Sequence, residues 1–277
     1  MTFEQEQEIL SNYNIYSSTY LAKEYGVSRS TILKIWMNSD KRGKLHRHYP
    51  LDETYFDVID SKDKAYFLGF MSADSNVYSS EHYTGDRQNR FSITLKNDDE
   101  YILELFKKYL KTTKPLSHIT KKNKYYVSTH ARLELSSNKI VEALTMYNIV
   151  PRKSYPFEIC QLDDEYMSHY LRGYFDGDGS ITFRMPLSRT IVAYSGFVHN
   201  LEKIQEYLRK SHGIDMHISV SASKQYSAPF GQLRSSNLQT TYNFLKYIYQ
   251  DCEDLCLTRK KERADNFIKE FDQRFNK

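Results

Sequence analysis

Asp74 and Asp178 are two acidic residues whose surroundings repeat along this 277-residue chain. Each is eighth in a mainly apolar nine-residue stretch with glycine third: Phe67-Leu68-Gly69-Phe70-Met71-Ser72-Ala73-Asp74-Ser75 and Leu171-Arg172-Gly173-Tyr174-Phe175-Asp176-Gly177-Asp178-Gly179. The acids lie 104 positions apart, the length of a small domain, so the chain reads as an internal duplication with one carboxylate at each repeat's helix end. A pseudo-twofold axis between the repeats would set the two acids side by side. Mg2+ prefers oxygen ligands and keeps several waters, so one carboxylate per half plus substrate oxygens is enough to hold an ion. Two such ions can position a water, absorb developing charge and assist a departing oxygen, which are the needs of phosphodiester hydrolysis.

The elements that must position these acids also repeat. Gly69 and Gly173 would let the two motif helices pack closely. After Asp74, the segments 76–83 and 90–95 alternate apolar and polar residues and read as a hairpin; 99–110 reads as a helix, and 118–122 with 125–135 as a second hairpin. The second copy predicts strands over 180–185, 190–195, 217–223 and 232–234, with a helix over 201–211. Leu133-Glu134-Leu135-Ser136-Ser137-Asn138 recurs as Gln232-Leu233-Arg234-Ser235-Ser236-Asn237, each before a helical run, with Asn138 and Asn237 as expected N-caps. A basic cluster follows each run: Lys153 lies 79 residues after Asp74, and Lys260 lies 82 after Asp178. Each repeat is thus α-β-β-α-β-β-α, giving an α+β fold.

The duplicated motif resembles that of the LAGLIDADG homing endonucleases. The second copy is close, with Gly173, Asp176, Asp178, Gly179 and Ser180-Ile181 in the family's places; the first departs at Ser72 and at Ser75, where the family has glycine. The resemblance covers roughly 55–265. It implies two tandem repeats with saddle-shaped antiparallel sheets, a single chain acting as a monomer, and metal-dependent hydrolysis of both strands of a long double-stranded DNA target. In that role Asp74 and Asp178 would be catalytic and hold Mg2+, and Lys153 and Lys260 would sit near the phosphates; surface lysines after a helix are the competing reading of the last two. Asp176 reads as a helix-end residue that is not a ligand. The sheets' wet faces would offer Arg90, Lys122, Lys124, Arg132, Arg184, Arg189, Lys224 and Arg234, along with Arg87, Lys96 and Lys121, to DNA. A solvated strand position is the bland reading of each. A non-cleaving DNA-binding regulator and an RNA maturase of the same fold are the alternatives, and retention of both acids argues against the first.

Residues 1–37 have their own organisation. Helices over 5–13, from Ser18, and over 29–37 after a Ser28 cap, with Gly26 at the turn, give a helix-turn-helix pattern. Its third helix would present Arg29, Ser30, Thr31 and Lys34 to the major groove. A plain three-helix packing module is the other reading. Between Arg29 and His48 there are six Lys/Arg (Arg29, Lys34, Lys41, Arg42, Lys44, Arg47) against Asp40 alone, a stripe suited to phosphates. Residues 38–54 read as a basic linker, following DNA or merely solvated. The repeats are expected over 55–155 and 156–277.

Bulk composition agrees. The formal net charge is +4 with 27% charged residues, mildly basic and compatible with nucleic acid. No apolar run approaches membrane-spanning length. Glu4, Glu6 and Glu8 do not suit a signal or transit peptide. Three cysteines, Cys160, Cys252 and Cys256, suit a reducing, cytoplasmic compartment in a prokaryotic or phage-encoded setting; Cys252 and Cys256 are expected on a helix face.

Overall fold

The computed structural model describes residues 2–13, 16, 18–39, 49–81, 87–122, 127–150, 159–222 and 228–275, without the side chains of 80, 81, 87 and 88. The chain divides into two compact units, Met1–Pro50 and Leu51–Lys277.

In the first unit α1 (Phe3–Ser11) starts two residues before the expected helix, because Thr2 and Gln5 form a reciprocal capping box. Helix α2 (Ser18–Glu24) leads through Gly26, at φ +64°, to α3 (Arg29–Asn38). Ser28 caps α3 by accepting from Thr31 N at 3.1 Å. Ile9, Tyr13, Leu21, Ala22, Ile32 and Trp36 form the core, and Tyr13 meets Trp36 edge-on at 4.9 Å.

The second unit holds both repeats around one core. The first runs α4 (Lys62–Asp74), β1 (Ser75–Glu81), β2 (Arg87–Lys96), α5 (Glu100–Tyr109), β3 (Ser117–Lys122), β4 (Val127–Ser136) and α6 (Asn138–Met146). The second runs α7 (Asp164–Asp178), β5 (Gly179–Thr182), β6 (Ile191–Phe197), α8 (Val198–His212), β7 (His217–Val220), β8 (Phe230–Ser235) and α9 (Leu238–Tyr249), followed by α10 (Thr258–Phe275). The sheets are four-stranded and antiparallel, ordered β1-β2-β4-β3 and β5-β6-β8-β7. Val77, Phe91, Ile93, Leu95, Leu133 and Leu135 share one face of the first sheet and are buried; the polar alternates take the other face.

Three sequence expectations are corrected. Strand β5 ends at Thr182 rather than 185, because Pro186 supplies no N–H to a ladder and a 3-10 turn, Leu187–Arg189, follows. The cap of α6 is Ser137, accepting from Ile140 N at 3.1 Å, whereas Asn138 is already helical; Asn237 does cap α9, accepting from Thr240 N at 2.9 Å. The sequence match between the two cap regions is therefore off by one, with Ser137 and Asn237 in equivalent places. Helix α10 was not anticipated, although buried Lys260, Ala264, Phe267 and Phe271 carry its 4-3-4 spacing.

Candidate active site

Helices α4 and α7 cross at their glycines. A Cβ on Gly69 would overlap the carbonyl oxygen of Tyr170 and lie 2.9 Å from Tyr174 N; one on Gly173 would overlap the carbonyl oxygen of Tyr66 and lie 2.8 Å from Phe70 N. The reciprocity is the pseudo-twofold axis in atomic form, since Tyr66 and Tyr170 are themselves 104 residues apart. Backbone meets backbone here, which only glycine permits.

That crossing delivers Asp74 and Asp178, the last residues of α4 and α7, to one end of the helix pair, each half-buried. Asp74 Oδ2 lies 3.3 Å from where a Cβ on Gly177 would sit, so Gly177 keeps open the space beside the first carboxylate. Both carboxylates act electrostatically on Lys260.

The irregular Ser75 of the first motif keeps the helix end of the second. Ser75 (φ −82°, ψ 151°) and Gly179 (φ −92°, ψ 165°) have the same extended backbone, so neither position needs glycine for its torsions. Gly179 is needed for space: a Cβ there would overlap the Phe175 ring and lie 2.5 Å from Phe175 O. Met71 holds the place of Phe175 in the first repeat, and Ser75 Oγ donates to Met71 O at 2.6 Å.

Behind the acids is a buried polar network. Asp176, 1% exposed, accepts from Tyr66 Oη at 2.9 Å, Leu257 N at 2.8 Å and Tyr249 Oη at 3.2 Å. Burial pushes its carboxyl upward, against the pull of Lys260 and these donors. Arg172, fully buried, donates to Leu255 O at 2.7 Å and Ile248 O at 3.0 Å, and its third nitrogen meets His169 Nδ1 at 2.9 Å. Arginine can only donate, so His169 Nδ1 is an unprotonated acceptor; burial and the guanidinium pull its imidazole down to about 4.

Lys260 has a different place from the one expected. It is 3% exposed, and its ammonium donates to the carbonyls of Phe175 (2.7 Å), Asp176 (2.7 Å) and Gly179 (2.6 Å). All three protons are used to cap the C-terminal end of α7, where Phe175 O also accepts from Gly179 N, and none is left for a phosphate in this arrangement. Burial pulls the amine down to about 8. Its counterpart Lys153 lies outside the described residues. Cys252 and Cys256 are also corrected: they lie in the turn between α9 and α10, both sulfurs within hydrogen-bond range of Glu253 O, rather than on a helix face. Repetition at 104 residues could have exposed the Tyr66–Tyr170 pair, but nothing in the sequence marked Lys260 as a cap.

Among residues expected at DNA, Arg90 and Arg132 share the polar face of the first sheet with Lys96, Lys121 and Glu134. Lys122 pairs with Val127 and falls, by register, on the opposite face, so the expectation for it is corrected; alternation gives the polar face to Lys121 instead. Arg234 lies on the polar face of the second sheet. Arg184 and Arg189 are exposed in the connection from β5 to β6. On α3, Arg29, Ser30 and Lys34 are exposed and Thr31 half-buried; Arg29 Nε donates to Ser18 Oγ at 3.2 Å, and the Ser30 and Thr31 hydroxyls contact Ser28 Oγ. Lys41, Arg42, Lys44, Arg47, Lys124 and Lys224 lie outside the described residues. Among described residues no helix is long and apolar enough to cross a membrane.

Residues 67–161 match the family model described as LAGLIDADG endonuclease. An uncharacterized protein of Methanocaldococcus jannaschii is 23% identical over 262 residues, covering 89% of this chain and 84% of that one. Among solved structures, the meganuclease I-SmaMI bound to uncleaveable DNA is 13% identical, covering 78% of this chain and 93% of that one at a TM-score of 0.48. I-DmoI in complex with DNA and Ca is 14% identical, covering 74% and 97% at a TM-score of 0.48. The chain thus resembles the LAGLIDADG endonucleases over its first repeat, and a second copy of the motif follows 104 residues on.

Proposed function

We propose that the protein is a site-specific, metal-dependent endonuclease that hydrolyses both strands of double-stranded DNA. The observation that carries this reading is the delivery of two half-buried carboxylates, Asp74 and Asp178, to one end of a glycine-mediated helix crossing, with polar sheet faces on both repeats. Gly177 leaves room beside Asp74, and among described residues no group of three or more His, Cys, Asp and Glu gathers that could hold a metal ion alone. That donor set fits Mg2+, which accepts carboxylate, phosphate and water oxygens together.

Asp74 and Asp178 would each hold one ion at the cleaved strands; when bound, the metal supplies charge stabilisation and an activated water. The chain's own part is placement. Lys260 fixes the last turn of α7, Asp176 and Arg172 tie that helix to the segment 248–257, and the glycines fix the spacing of the acids. Lys260 acts as a positioning residue. Arg90, Arg132 and Arg234 would contact the target from the sheets, and Arg29, Ser30 and Lys34 from α3, as the reading half of a helix-turn-helix.

The test is incubation of the full chain with a randomised duplex library and Mg2+, followed by sequencing of cut ends. Cleavage at one extended motif, with short cohesive ends and none in excess chelator, is expected. Binding of a motif without cutting would make the protein a non-cleaving regulator, and blunt or chelator-insensitive products would overturn the mechanism.

A further inference from the structure

Strand register allows the two sheets to be compared position by position. In the first, Ser75 pairs with Ile93 and Ile93 with Leu133; in the second, Gly179 pairs with Tyr194 and Tyr194 with Leu233. Ser75 and Gly179 directly follow the two helix-end acids, so these rows are equivalent. The adjacent row on the polar face is Asn76–Ser92–Glu134 in one sheet and Ser180–Ala193–Arg234 in the other. Glu134 and Arg234 therefore occupy the same place in the two repeats with opposite charge.

Their neighbourhoods differ in the same sense. Glu134 is flanked by bases: Arg132 Nη2 donates to its Oε2 and to Ser92 Oγ, and Arg90 Nη1 lies 3.9 Å from its Oε1. The equivalents of Arg132 and Arg90 in the second sheet are Gln232 and Ile191, so Arg234 stands without an ion-pair partner among the described residues. One face presents an acid held among arginines; the other presents a guanidinium with no acidic partner among the described residues, across from His217 on β7.

Resting on the DNA reading above, we propose that Glu134 and Arg234 are a specificity-determining pair that makes the two halves of the target non-equivalent. In the major groove an arginine fork matches the O6 and N7 acceptors of guanine, whereas a carboxylate accepts from the N4 amino group of cytosine and is repelled by guanine's acceptors. A pseudo-twofold protein meeting a palindrome would show one base to both positions, and opposite charges cannot both be matched by it. Arg234 selects guanine in its half-site. Glu134 refuses guanine at the dyad-related position and accepts cytosine.

The test is selection of bound sequences from a randomised duplex pool in chelator, with the full chain at fixed salt. The wild type is expected to enrich guanine at one position and to exclude it at the dyad-related one. Glu134→Arg should shift that second position to guanine by roughly tenfold, the discrimination expected of one good bidentate contact, leaving other positions unchanged. Glu134→Gln keeps the shape and an acceptor for Arg132; it should relax the same position only and guards against a folding artefact in the charge reversal. Arg234→Glu should give the mirror result. A wild-type motif already symmetric there, or an unchanged motif in Glu134→Arg and Glu134→Gln, overturns this assignment while leaving the DNA reading intact. No enrichment of any sequence by the wild type overturns both.

Discussion

Tyr66 on α4 donates its hydroxyl to Asp176 on α7 at 2.9 Å, and the dyad-related Tyr170 donates to Ser72 on α4 at 3.2 Å. The same crossing contact is made twice with different acceptors, a carboxylate on one side and a hydroxyl on the other. Since hydrogen bonds to charged groups are worth about 1.5–3 kcal/mol and neutral ones about 1, the two halves of the crossing are unequally stabilised. Tyr66→Phe should therefore cost about twice as much stability as Tyr170→Phe. Urea denaturation of both variants measures the difference, and equal losses would show that Asp176 is not an ionised acceptor.

The glycine crossing predicts a larger effect. Gly173→Ala drives a methyl into the backbone of Tyr66, where no rotamer change can relieve it. Overpacking of this kind costs about 3 kcal/mol or more, which lowers the melting temperature of a unit this size by roughly 6–12 °C. An unchanged melting curve would show that α4 and α7 do not cross at Gly173.

The two acids should divide the labour between strands. Asp178→Asn keeps the side chain's shape but removes the charge that attracts a cation, so supercoiled plasmid carrying the target should be nicked rather than linearised, with binding nearly intact. Asp74→Asn should do likewise, because Ser75 closes the first motif helix with the same backbone as Gly179 closes the second. If either change silences both strands, the two carboxylates serve one shared centre. Wild-type linearisation by either variant removes that aspartate from the site.

His169 predicts an acid-sensitive step. Its folded value is depressed to about 4 from 6.5, so between those values the unfolded chain binds the extra proton. Its contribution is complete above pH 6.5, is lost as the pH falls and levels off below 4. At pH 5 the loss is about 2 kcal/mol. Asp176, shifted upward by burial, acts in the opposite direction as the pH falls, so the clean measurement is a difference: between pH 7 and pH 5 the wild type should lose more stability than His169→Gln. Parallel losses would remove His169 as the cause.

The duplication, the positions of both acids, the two glycines and the α-β-β-α-β-β-α order are legible in the amino-acid order, because they follow from local pattern. A glycine at a fixed place before an acid, and alternation along a strand, are visible one residue at a time. Features that depend on contacts between distant residues emerge only from the folded chain. Lys260 looked like a surface lysine or a phosphate ligand, and it became a buried cap because the end of α7 arrives with three carbonyls aimed at one point. Ser75 departs from the motif, yet its extended torsions match those of Gly179 in the other repeat. Lys121 and Lys122 are adjacent, and only the register assigns them to opposite faces. The same register places Glu134 opposite Arg234 in the comparison of the two sheets, where the sequence match, slipped by one residue at the caps, had set Glu134 against Leu233.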